Sequence, residues 1–321
     1  MLRLRHLGTM VVAASAMLLL VTVSSRLAAF ARLFGKHAGV GLTQTEIALA
    51  HNLTQPDVRR EVVPRIIHQI YHDWRDPGNE TLPADWEETR QTCVQLHPDW
   101  KYELWTEQRS RRFIETEYSW FLGTYDGFKY PVQRVDALRY LLLRHYGGIY
   151  IDLDNGCLTS LEALLYYPVW VTDGGHGALS NNILGAAPQH PFYILVTESM
   201  QRYAWNYPLP YVTISYATGQ WFETDMWQQY HAQKPADSQP LTRVMMDMRP
   251  GSSPWVFFTH TRGGSWDNWD NHVFAWIGSH LLLAVMAIAA VMVVVSGMAV
   301  VGLHLLRRMC LRSRGYRLVG K

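Results

Sequence analysis

The chain has 321 residues, a formal net charge of +2 and 48% apolar residues, so it can bury a substantial core and wholesale disorder is excluded. The near-neutral balance, with its basic excess gathered at the C-terminus, argues against a nucleic-acid partner. Three cysteines, Cys93, Cys157 and Cys310, are too few for a disulfide scaffold and lack metal-type spacing; Cys93 and Cys157 are either a disulfide pair or two buried thiols.

Residues 7–23 read LGTMVVAASAMLLLVTV, without a charge. This is the lower limit, about 17 residues, for a spanning helix. The segment reads as an uncleaved anchor over 7–25 behind a short cytosolic stretch, 1–6. The competing reading is a cleaved signal peptide, whose apolar region is shorter, roughly 7–15 residues. Residues 26–60 are weakly patterned and read as a luminal stem, and 61–270 as one folded domain without internal repeats.

Within that domain Val62–Tyr71 is β-rich and predicts a first strand. Leu82–Leu96 predicts a helix with Trp86, Thr89, Cys93 and Leu96 on one face, Tyr102–Trp105 a strand and Gln108–Tyr118 a helix. Val132–His145 carries Val135, Leu138 and Leu142 at helical spacing and stops at Gly147-Gly148. Ile149–Asp154 predicts a short strand closed by Asn155-Gly156, followed by strands at Val169–Thr172 and Ile183–Ala186 and a helix over Pro191–Tyr203. Strands alternating with helices of this length imply an α/β domain with a largely parallel sheet.

Leu281–Leu303 is about 23 apolar or small residues, long enough to span a bilayer. The tail 304–321 follows with Arg307, Arg308, Arg312, Arg314, Arg317 and Lys321, which places it in the cytosol by the positive-inside rule. Two spans then put both termini in the cytosol and the intervening domain in the lumen. The triplets starting at Asn52 and Asn79 fit N-glycosylation there. Trp269 and Trp276, close to the second segment, read as interface anchors.

Asp152-Leu153-Asp154 carries the chemistry. Side chains two apart on a strand point the same way, so the carboxylates are expected to converge and form an oxygen half-site for Mn²⁺ or Mg²⁺. Open α/β sheets bind ligands at such strand ends. Asp136 and Arg139, at i and i+3 on the preceding helix, are either a solvated ion pair or a carboxylate and guanidinium that grip sugar hydroxyls.

Arg134–Tyr140, with the pattern D-A-x-R, and Gly147–Asp154, with G-G-x-Y-x-D-x-D, resemble the sugar-binding region of glycosyltransferase family 32 and are similar to the glucosylating clostridial toxins. Pro64–Gln69 resembles that family's first strand, where a Trp commonly sits at the position of Tyr71, and His97–Thr106 resembles its next block. The resemblance implies a GT-A fold, a nucleotide-sugar donor, retention of anomeric configuration and a metal held by Asp154 and Asp152, with Asp136 and Arg139 on the donor sugar. It further implies a donor contact from Asn181 or Asn182, with Asn182 favoured. Thr218-Gly219-Gln220 stands where the family has T-G-P, and the missing proline puts that loop's geometry in question. His260–Trp266 is similar to the family's H-x(n)-G-S-W element, which implies His260 as a further metal ligand and Trp266 over the donor.

A second, C-terminal span resembles the fungal inositol-phosphoceramide mannosyltransferases of this family. It implies GDP-mannose as donor, inositol phosphoceramide as acceptor, a Golgi membrane location and a membrane regulatory subunit as partner. The alternatives are a mannosyltransferase acting on protein-linked glycan and a non-catalytic scaffolding subunit.

Overall fold

A computed structural model describes residues 28–53, 60–233, 240–259 and 268–280, with single positions between 17–25 and 283–297. The chain divides into two compact units, Met1–Trp266 and Asp267–Lys321. Among the described residues no helix is long and apolar enough to cross a membrane. The spans expected at 7–25 and 281–303 fall mostly outside them, and the termini 1–6 and 304–321 wholly so.

In chain order the first unit contains β1 (Val40–Thr43), α1 (Gln44–Leu53), β2 (Ile66–Ile70), α2 (Ala84–Leu96), β3 (Lys101–Trp105), α3 (Glu107–Glu117), α4 (Ser119–Asp126), α5 (Pro131–Tyr146) and β4 (Gly148–Ile151). It continues with β5 (Val169–Asp173), β6 (Ser180–Ala186), α6 (Pro191–Tyr203), α7 (Pro210–Ala217), α8 (Gln220–Gln233) and β7 (Thr242–Met245). One sheet of seven strands, in the order β1-β7-β5-β6-β4-β2-β3, collects them all. Its neighbours run parallel except at β6, which is antiparallel to both β4 and β5. The expected α/β architecture with a mostly parallel sheet is therefore present. The second unit contains one described helix, α9 (Trp269–Ser279).

Side chains alternate across the sheet, as the pleat requires. Ile149, Ile151, Trp170 and Ile183 enter one core with Ile47 of α1 and Cys93 of α2. Tyr150, Val169, Val171 and Leu184 enter the other with residues of α3, α4, α5, α6 and α8. Helices thus cover both faces, which explains why the central strands are apolar on both sides.

The helix α5 sits deepest. Pro131 opens it, where its missing N–H is not needed, and the Tyr130 N–H donates to Gln133 Oε1 at 3.0 Å. Every residue from Asp136 to Leu143 is buried. Gly147 (φ 66°) and Gly148 (φ 93°) then turn the chain straight into β4, and a Cβ on Gly148 would lie 2.6 Å from the Ile66 carbonyl. Only glycine fits there.

One expectation changes and one open alternative is settled. Residues 26–60 are not merely a stem, because β1 pairs in parallel with β7 from Val40–Thr242 to Thr43–Met245 and α1 packs Ile47 into the core. Both strands have four residues and pair across some two hundred positions, so neither has a local signal. Cys93 and Cys157 form a disulfide that ties α2 to the chain just beyond Asp152–Asp154, across 64 residues.

Closing a loop of that length is expected to contribute about 4 kcal/mol of stability on the chain-entropy account. Cys93→Ser should therefore lower the unfolding midpoint under oxidising conditions, to the value of the wild type in reductant. Equal midpoints for oxidised wild type and variant would mean that the bridge adds nothing.

Candidate active site

The C-terminal ends of β2 and β4, with α5, β6 and α7, enclose a cleft of about 530 Å³. β4 stops at Ile151, one residue short of the acidic pair. The Asp152 N–H donates to the Asn182 carbonyl at 2.8 Å and the Asn155 N–H to the Asp152 carbonyl at 2.9 Å, so a tight turn follows immediately. Asp152 and Asp154 both reach the cleft, as expected. The turn brings them there, not strand alternation.

Asp136 and Arg139 are 4% and 3% exposed, which excludes the solvated ion pair. Arg139 Nη2 pairs with Asp136 Oδ1 at 2.9 Å, and Nη1 stands 3.2 Å from Asp152 Oδ1. Nη1 also donates to the Asn181 carbonyl at 2.6 Å, and the guanidinium lies 4.6 Å from the Tyr150 ring centroid. The Tyr150 hydroxyl donates to the Asp152 carboxylate. Arg139 thereby joins α5, β4 and β6 at one point.

Asp136 is held from its other side as well. Its Oδ2 accepts from Thr218 Oγ1 and its Oδ1 from Asn181 Nδ2, each at 3.1 Å. Tyr140 donates its hydroxyl to the Thr218 carbonyl at 2.9 Å. The Thr218-Gly219-Gln220 loop keeps its place without a proline, because the Gly219 N–H donates to the Ile214 carbonyl at 2.9 Å.

Of the two asparagines, Asn181 lines the cleft and Asn182 does not. Successive residues of β6 point to opposite faces. The Asn182 amide oxygen accepts from Ser180 and Thr172, at 2.7 and 2.9 Å, and its nitrogen donates to Asn155 Oδ1 at 2.9 Å. Asn182 shapes the acidic turn, and of the two only Asn181 is placed to face the cleft. His260 and Trp266 lie outside the described residues.

Two features escaped the sequence reading. The run Tyr71-His72-Asp73-Trp74-Arg75, directly after β2, forms a wall of the cleft with Trp86; its aromatic character was the available signal. Glu223 of α8 is fully buried, and neither of its oxygens has a hydrogen-bond partner among the described residues. Burial pushes its carboxyl well up, against the attraction of Arg139. Nothing in the local pattern of α8 marks it.

Residues 83–170 match the glycosyltransferase sugar-binding region containing the DXD motif. That span contains Asp136, Arg139, Asp152 and Asp154. The chain carries a DXD glycosyltransferase region. It is similar to inositol phosphoceramide mannosyltransferase 2 of Schizosaccharomyces pombe, 39% identical over 228 residues, 70% of this chain and 64% of the relative. It is also similar to mannosyl phosphorylinositol ceramide synthase SUR1 of Saccharomyces cerevisiae, at 37% over 70% of this chain and 57% of the relative. Inositol phosphoceramide mannosyltransferase 3 of S. pombe is 40% identical over 65% and 57%. The chain therefore spans less than two thirds of these relatives. Among solved structures, a PaToxG glycosyltransferase covers 53% of this chain and 70% of its own at 17% identity, with a TM-score of 0.39.

DXD glycosyltransferases generally use a divalent cation and a nucleotide sugar. The residues present fit a hard cation. Asp136 and Asp152 share the guanidinium of Arg139, and Asp152 and Asp154 both line the cleft. Burial and the neighbouring Asp152 push the Asp154 carboxyl up to about 7. Burial likewise raises Asp136 to about 6, against the pull of Arg139. Among the described residues no group of three or more His, Cys, Asp or Glu converges on one point. Asp152 and Asp154 thus supply a two-carboxylate half-site that leaves positions for a diphosphate.

Two outcomes follow from this geometry. Arg139→Lys should be severely impaired in transfer, because a point charge cannot reach Asp136, Asp152 and the Asn181 carbonyl together; near-wild-type kcat/KM would return Arg139 to a structural role. The second concerns pH. Asp136 and Asp154 have folded pKa values above their unfolded ones, so the folded state binds more protons and metal-free stability falls as pH rises from about 4 to 7. A cation binds Asp154 in its ionised form, so added Mn²⁺ should raise the unfolding midpoint more at about pH 8 than at about pH 5. Equal shifts at both values would separate the carboxylates from the cation.

Proposed function

We propose that the chain is a retaining mannosyltransferase of GT-A type that moves mannose from GDP-mannose to inositol phosphoceramide, with Mn²⁺ at Asp152 and Asp154. The observation that carries this reading is the buried Asp136–Arg139–Asn181–Asp152 network on the floor of the cleft. The names of the relatives supply the sugar and the lipid.

In this reading Asp136, Arg139 and Asn181 hold the sugar by its hydroxyls, with Arg139 held in orientation by Asp152 and Tyr150. The cation, when bound, offsets the charge that develops on the diphosphate. The aromatic wall at Tyr71, Trp74 and Trp86 encloses the nucleotide. We assign no protein nucleophile. The acceptor hydroxyl attacks the anomeric carbon from the side of the leaving group: the bond to phosphate oxygen breaks, the bond to the acceptor oxygen forms, and the hydroxyl proton passes to the phosphate. His260 is read as a further metal ligand and Trp266 as a donor contact, by resemblance alone.

The chain is read as anchored by 7–25 and 281–303 in a Golgi membrane, with the domain luminal, both termini cytosolic and a membrane regulatory subunit as partner. Met17, Leu18, Val21, Leu283, Met286 and Val294 are large, apolar and exposed, which supports lipid contact. Trp269 and Trp276 of α9, also exposed, suit the headgroup level.

The purified full chain, with GDP-mannose and Mn²⁺, should mannosylate detergent-dispersed inositol phosphoceramide. Asp152→Ala and Asp154→Ala should each abolish this while unfolding cooperatively. Transfer to a protein-linked glycan but not to the lipid would overturn the acceptor, and active variants would overturn the metal assignment. In sealed vesicles, protease should remove a C-terminal tag and spare the domain; a protected tag would reverse the topology.

A further inference from the structure

The helical residues 28–32 follow the uncharged segment 7–23 after only a few positions, and they are fastened to the domain. Leu33 is buried. The Phe30 ring meets Trp221 edge-on at 5.0 Å and lies 6.2 Å from Tyr216, and Phe34 lies 5.9 Å from Trp221. The aromatic row continues from Tyr216 to Tyr207 at 5.8 Å. Tyr216 and Trp221 belong to α7 and the start of α8. That same short stretch puts Ile214, Ser215 and Gly219 into the cleft. One wall of the active site is therefore also the surface that packs against Phe30 and Phe34.

The outer rim of this surface is unusual for water. Trp205 is 69% exposed, Phe34 42% and Tyr207 38%. The Trp205 indole N–H donates to the Arg202 carbonyl at 3.0 Å, and Arg32, Lys36 and Arg202 are themselves exposed. Amphipathic aromatics mixed with cations, beside an apolar segment, are the composition of a surface at the lipid–water boundary. A second protein would favour the same aromatics, but the adjoining segment 7–23 and the surrounding cations select lipid.

We propose that Phe34, Trp205 and Tyr207, with Arg32, Lys36 and Arg202, form a membrane-interface platform. Its partner is the headgroup layer of the bilayer that holds the acceptor lipid, and it seats the α7 wall of the cleft at the level where lipid headgroups stand. The membrane contact stands on the surface alone. Its catalytic consequence rests on the lipid-acceptor reading above.

The test uses the full chain reconstituted in phosphatidylcholine vesicles containing inositol phosphoceramide. Lipids brominated near the headgroup should quench Trp205, read as the difference between wild type and Trp205→Phe. Trp205→Ser/Tyr207→Ser should lower kcat/KM on the vesicle-embedded acceptor about tenfold and leave donor hydrolysis and transfer to detergent-dispersed acceptor unchanged. Absence of a Trp205 quenching difference would overturn the platform and assign the surface to a protein partner. An equal fall in donor hydrolysis would also overturn it, by showing a structural role. Quenching requires no turnover, so a wild type inactive on the lipid would sink the acceptor and leave the membrane contact standing.

Discussion

The site depends on a single buried cation. Arg139 is almost wholly inside the protein, where an unpaired guanidinium is untenable, so the elements around it must supply acceptors. Asp136 comes from its own helix, Asp152 from the end of β4 and the Asn181 carbonyl from β6. Removing one partner from such a cluster typically costs about 3–5 kcal/mol, because the remaining charge stays buried. The constraint therefore fixes where β4 must end, which residue of β6 faces inward and how close α5 must run to the sheet.

The same arrangement separates stability from function. A buried ion pair is weak evidence for stability, since apolar residues of similar volume often serve as well. Here the cluster opens onto a cleft, and Asp136 and Asp152 share the guanidinium of Arg139. The raised pKa values of Asp136 and Asp154 have that origin: burial and like charge disfavour ionisation until a positive group arrives. Groups perturbed this way, at the carboxyl ends of an α/β sheet, have the physical character of a binding site.

The two sides of the site are held by different means. The acidic turn is held by β6 and by the Cys93–Cys157 bridge to α2. The opposite wall, α7 and the Thr218-Gly219-Gln220 loop, is attached to Asp136 by one hydroxyl and to Tyr140 by one carbonyl. That wall also bears the aromatic row leading to the N-terminal segment. The packing of Phe30 and Phe34 and the shape of the cleft therefore share the same short stretch of α7 and α8.

Much was legible before the fold. Val132–His145 and Pro191–Tyr203 were readable as helices because apolar spacing and flanking Gly or Pro are local signals, and the D-A-x-R and D-x-D motifs pointed to the acidic cleft for the same reason. Other features have no local signal. β1 and β7 are four-residue strands that exist only because they pair with each other and with β5. The choice between a solvated and a buried Asp136–Arg139 pair required packing on every side of α5. Which of Asn181 and Asn182 faces the cleft turned on the register of β6, where a shift of one residue reverses every side chain. The sequence by itself determined the α/β class and the chemistry of the acidic motif, because both are written in short-range pattern. Only the tertiary structure decided the disulfide, the inward asparagine, the buried Glu223 and the joining of the cleft wall to the N-terminal segment, because each depends on residues brought together from distant parts of the chain.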